Sequence, residues 1–108
     1  LRVVNMPWLN RVDEQWLRDT VSGHEWVFTL DDHYVTGGQG DTLLSALARL
    51  GLSSPPRAAK LGVRDIPVCG TNDEVLRAHR LDAESLAEDI GGLMEGERRP
   101  SCSLAGRR

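Results

Sequence analysis

The stretch that most limits how this chain can fold is residues 25–50, EWVFTLDDHYVTGGQGDTLLSALARL. An apolar segment rich in β-branched and aromatic residues opens it, three glycines fall within four positions, and a leucine-rich segment follows. Glu25–Leu30 has the composition of a strand. LLSALARLGL, residues 43–52, repeats apolar residues at three- and four-residue steps and predicts a helix, stopped by Gly51 and by SSPP at 53–56. A strand that passes through a glycine turn into a helix is the first half of a crossover onto a parallel sheet.

The flanking segments repeat that alternation. Leu1–Met6 carries Val3 and Val4 and ends at Pro7, which cannot donate to a ladder; it reads as a strand. Asp13 is a suitable N-cap for DEQWLRDTVSG. Val12 and Leu17 are spaced as a hydrophobic staple, Trp16, Leu17, Thr20 and Val21 share one face, and Gly23 supplies the stop. Arg57–Val63 is a weaker strand. Thr71 and Glu74 have capping-box spacing, and Asp82 caps a last helix between Leu81 and Leu86. In that helix Ala83, Leu86, Ala87, Ile90, Leu93 and Met94 form one apolar stripe, read as core.

The order is strand, helix, strand, helix, strand, helix, helix. It predicts an α/β fold, a three-layer α/β/α arrangement with a mainly parallel sheet of about three strands. Three strands make a narrow parallel sheet, so a further strand is expected from elsewhere or from a neighbouring chain. With a start at Leu1 rather than Met, the expectation is an N-terminally truncated domain over residues 1–95. Residues 96–108, GERRPSCSLAGRR, read as a flexible basic tail.

Charge narrows the partners. Four of the 13 Lys and Arg and one of the 16 Asp and Glu lie in 96–108, which leaves residues 1–95 at −6. An acidic body disfavours nucleic acid. No apolar run approaches a membrane span, and no secretory leader is expected. Cys69 and Cys102 are too few and too far apart for a disulfide framework or metal knuckle, which points to a reduced, cytoplasmic protein.

The candidate site is Asp31, Asp32, His33, Gly37, Gly38, Gln39 and Gly40. Ligands of open α/β sheets sit beyond the carboxyl ends of strands, where this segment lies. Backbone amides of Gly38, Gln39 and Gly40 at a helix start form a cradle suited to an anion. Against that, the spacing is GGxG rather than the dinucleotide GxGxxG, no Walker lysine follows, and Asp41 puts a negative charge at the entrance. The other reading is that the glycines permit positive φ and close backbone approach. Asp31, Asp32 and His33 are an acid–base set on one reading and strand-end acceptors for loop amides on the favoured one. A metal needs a third ligand, and His24 and His79 lie in segments that do not converge on the site. Cys69 precedes a helix without a nearby base and reads as a small semi-buried residue. Trp16 and Trp26 read as core; Trp8, in a loop, is a candidate interface anchor.

Three blocks carry a resemblance: RVVNMPWLNRVDEQWL, WVFTLDDHYVTGGQGDTLLSALA and GTNDEVLRAHRLDAESLAEDI. In order and content they resemble the transketolase C-terminal domain. That family has a strand ending in Asn-Met, a strand closed by Glu-Asp-His or a near variant, a Gly-Gly-x-Gly turn, and a Leu-Asp-Ala-Glu helix start. Asp31 stands where the family more often has Glu. Family sheets carry five strands, and the usual first strand–helix unit is missing ahead of RVVNM.

The resemblance implies a parent enzyme that uses thiamine diphosphate and Mg²⁺, held between two other domains. The parent would transfer a two-carbon ketol unit between sugar phosphates. This domain would bind no cofactor or metal and supply no catalytic residue. It would serve dimerisation and support the pyrimidine-binding domain, with Asp31–Gly40 as an interface turn. Its partners would be other domains or subunits of the parent, within a homo-oligomer, with neither nucleic acid nor membrane. The alternative is a partner-docking or anion-binding regulatory module, as in 2-oxo-acid dehydrogenase beta subunits. Independent hydrolase or redox chemistry through Cys69 has no nameable base or oxyanion arrangement behind it.

Overall fold

A computed structural model describes residues 1–96. The basic tail expected at 96–108 lies, apart from Gly96, outside the described residues. The chain divides into two compact units, Leu1–Pro67 and a second beginning at Val68.

In the first unit, helix α1 is Glu14–Val21, strand β1 Trp26–Tyr34, helix α2 Gln39–Arg49 and strand β2 Arg57–Val63. The Asp13 side chain accepts the Trp16 amide at 2.7 Å, so α1 begins where the cap predicts. Gly23, at φ +75°, takes the left-handed conformation that ends it. Leu17 and Val21, one turn apart, bury against Leu43, Ala46, Leu47 and Leu50 of α2 and its C-cap. Val27 of β1 packs on the same cluster. The Arg18 guanidinium donates to the Leu50 carbonyl at 2.9 Å, satisfying one of the oxygens left over at the end of α2. Trp16 was expected in this core but lies at the surface, 37% exposed, because the inward arc of so short a helix is used up by Leu17 and Val21.

The strands pair in parallel, Trp26 with Arg57 through Leu30 with Leu61. Alternation sends Val27, Thr29 and Asp31 towards α2, and Trp26, Phe28 and Leu30 to the other face. There Trp26 and Phe28 stack at 5.2 Å. The α/β class and the parallel sheet hold, with two strands among the described residues where about three were expected. Leu1–Met6 is not a strand. Val3 is 85% exposed, and an extended segment becomes a strand only when another backbone pairs with it. The strand expected to end at Leu30 runs on to Tyr34, because β2 continues to Val63, whose carbonyl accepts the Val35 amide at 3.0 Å.

The second unit holds α3, Asn72–Ala78, and α4, Ala83–Gly96. Thr71 and Glu74 complete the capping box. The Thr71 hydroxyl accepts the Glu74 amide at 3.4 Å and the Glu74 carboxylate accepts the Thr71 amide at 2.9 Å. Asp82 accepts the Ser85 amide at 3.2 Å and starts α4. Between them Arg80 sits at φ +58°, and its guanidinium reaches Asp89 at 2.7 Å and Glu88 at 3.0 Å. The apolar stripe of α4 is not the core it was expected to be. Leu86 and Ile90 are half-buried, while Ala83, Ala87, Leu93 and Met94 are exposed. Periodicity shows which side of a helix is apolar; it does not supply the surface that covers it.

Candidate functional site

A bulge builds the site. On β1 three residues, Asp31–His33, lie between the pairs Leu30–Leu61 and Tyr34–Val63, and on β2 only Gly62 does. A Cβ at Gly62 would stand 2.9 Å from the His33 carbonyl oxygen and 3.0 Å from that of Asp31, so the bulged backbone passes directly over this glycine. Lengthening one strand in this way carries Asp31 and His33 over the start of α2.

Asp31 is 4% exposed, and its carboxylate receives two amides. The Gln39 amide donates to Oδ1 and the Gly40 amide to Oδ2, both at 3.0 Å. Two of the three amides that the sequence offered to an anion thus hold the chain's own carboxylate. This intramolecular cap explains why α2 begins at Gln39, four residues before the leucine repeat. The first amides of the helix are satisfied from β1.

Each glycine of the turn has its own reason. Gly37, at φ +79°, needs the left-handed region. A Cβ at Gly38 would lie 2.5 Å from His33 Cε1, and one at Gly40 would lie 2.5 Å from Thr29 Oγ1. The turn packs tightly onto the strand end.

Three side chains brace it. Lys60 of β2 binds the Asp41 carboxylate and donates to the Val35 carbonyl at 3.0 Å. Asp41 also accepts the Gly37 amide at 2.6 Å. The hydrogen bond from Lys60, and after it the Gly37 amide, holds the Asp41 carboxyl below the usual carboxylate range. The Gln39 side-chain amide donates to the carbonyls of Met6 at 3.2 Å and Trp8 at 2.8 Å, which ties residues 6–8 to the turn.

The site brings Asp31, His33, Gly37, Gly38, Gln39 and Gly40 together; Asp32 is exposed on the strand. His33 Nδ1 donates to the Tyr34 carbonyl at 2.8 Å, and Nε2 lies 3.5 Å from Asp31 Oδ1. His24 bonds to the Ser22 carbonyl and His79 accepts the Val68 amide, each within its own segment. Among the described residues no group of three or more His, Cys, Asp and Glu is placed to hold a metal ion. Cys69 is exposed rather than semi-buried. Trp8 is 61% exposed, with the Arg11 guanidinium 5.9 Å from its ring centre. Sequence reasoning missed Lys60, Thr29, Gly62 and the reach of the Gln39 side chain. Only Gly62 left a signal, as a lone glycine inside a strand pattern.

The strand-end turn, its helix and the capped segments after it correspond to a known domain. The family model described as the transketolase C-terminal domain matches residues 1–86. The chain belongs to the transketolase C-terminal domain family. Among its relatives, 1-deoxy-D-xylulose-5-phosphate synthase of Thioalkalivibrio sulfidiphilus is 35% identical over 85 residues, covering 78% of this chain and 13% of that protein. The enzyme of the same name from Aquifex aeolicus is 31% identical over 97 residues, 89% of this chain and 15% of that one. A Methanocaldococcus jannaschii protein described as a transketolase C-terminal section is 29% identical over 96 residues, 88% of this chain and 29% of its own length. The chain thus spans less than a third of the length of each of these relatives.

Proposed function

We propose that this chain is a non-catalytic C-terminal domain of a transketolase-like, thiamine-diphosphate-dependent enzyme. In this reading the parent transfers a two-carbon ketol unit between sugar phosphates. The chain serves dimerisation and supports the domain that binds the cofactor's pyrimidine ring. The observation that carries the reading is the family match over residues 1–86, together with a turn whose amides are already occupied by Asp31.

The turn at the start of α2 argues against this domain as the cofactor's holder. The best-placed amides for a diphosphate, at the start of α2, face a buried carboxylate that would repel it. An anion-regulated module is disfavoured for the same reason. The supporting role instead draws on exposed apolar side chains of the first unit, including Val3, Trp8, Leu9, Leu30 and Tyr34. No described helix is long and apolar enough to cross a membrane. A cytoplasmic setting belongs to the same proposal and rests on the sparse cysteines and the family.

Sedimentation equilibrium of the 108-residue chain over a concentration series tests the supporting role. Self-association that is weakened by Trp8→Asp is the expected result. A chain that stays monomeric throughout contradicts the dimerisation part of the proposal.

A further inference from the structure

The imidazole of His33 stands between two acceptors. A carbonyl oxygen carries no proton, so Nδ1 is the donor in the 2.8 Å contact with Tyr34. In the neutral ring Nε2 is then a bare lone pair, and it lies 3.5 Å from Asp31 Oδ1, a carboxylate whose side chain is 3% exposed. That is acceptor against acceptor. A proton on Nε2 converts the contact into a charge-assisted one. The side chain of His33 is 45% exposed, so solvent can deliver that proton.

The contact bears on more than one pair. The same Asp31 oxygen accepts the Gln39 amide, and the Gln39 side chain holds the carbonyls of Met6 and Trp8. Of the other charged groups near the turn, Asp41 of α2 and Lys60 of β2 are paired with each other, and Arg11 lies over the Trp8 ring. Asp32, next along β1, is exposed.

We infer that His33 is a proton-operated clasp. Protonated at Nε2, it secures Asp31 and with it the 37–40 turn and residues 6–8; neutral, it loosens both. The clasp goes beyond the supporting role proposed above and does not depend on it.

Amide hydrogen exchange of the 108-residue chain, followed by NMR at about pH 5.5 and 7.5 on either side of the ordinary histidine range, tests the clasp. Protection factors at Gln39 and Gly40 should be higher at the acidic value, on the order of threefold, as a partly exposed ion pair supplies. Leu47, inside α2, is the reference and should show no such step. His33→Gln should abolish the step. His33→Arg, charged at both pH values, should keep protection without a step and serves alone if His33→Gln does not fold. The clasp is overturned by an absent step in the natural chain, by a step that survives in either variant, or by an equal step at Leu47.

Discussion

At Gly40 a single methyl group is enough to disturb the turn. Its Cβ would stand 2.5 Å from Thr29 Oγ1, a buried hydroxyl without a hydrogen-bond partner. Gly40→Ala should therefore cost about 1–3 kcal/mol by overpacking. Thr29→Ala should recover much of that loss, so that the two changes are clearly non-additive in a double-mutant cycle of denaturant melts. Additive losses would place the strain elsewhere. Asp31→Ala takes the acceptor from two amides of low exposure and should cost on the order of 1–3 kcal/mol for each amide left stranded. The glycine turn was plain in the sequence because glycine clusters are local signals. The contacts that make Gly38 and Gly40 necessary, with His33 and Thr29, join the turn to the strand before it, and the spacing of the glycines does not show them.

At the scale of elements, caps were legible and pairing was not. Asp13, the Thr71–Glu74 box and Asp82 act within three residues of themselves, so the starts of α1, α3 and α4 follow from the sequence. The extent of β1, the early start of α2 and the absence of a strand at Leu1–Met6 all depend on which distant backbone or carboxylate arrives. The stripe of α4 shows the energetic consequence. Leu17, 1% exposed, is a true core position, and Leu17→Ala should cost about 2–5 kcal/mol. Leu86→Ala and Ile90→Ala, at half-buried positions, should cost less, about 1–2 kcal/mol. Denaturant midpoints that rank Leu86 or Ile90 above Leu17 would contradict this assignment of the core. Gln39→Ala should change global stability little, yet free residues 6–8, read as faster proteolysis at Arg2 or Arg11.

At the scale of the whole molecule, acid is the weak side. Asp41, Glu74 and Asp82 all have carboxyls held below the usual range. The principal causes are the bond from Lys60, the Thr71 amide and the hydrogen bonds from Ser85, respectively. A folded state that lowers these values binds fewer protons than the unfolded chain. The stability they add is complete above the ordinary carboxyl range and is lost as pH falls through the lowered values. Urea midpoints should drop between pH 7 and about pH 3, and Asp41→Asn should shrink that drop. A midpoint insensitive to acid would contradict the pairing.

In the proposed reading, the chemistry of the parent lies outside this chain. Its amide cradle at the start of α2 is filled by Asp31, and its first unit exposes Val3, Trp8, Leu9, Leu30 and Tyr34. Titration calorimetry with thiamine diphosphate and Mg²⁺ on the 108-residue chain tests that claim most directly. No saturable heat is predicted; clear, stoichiometric binding would contradict it.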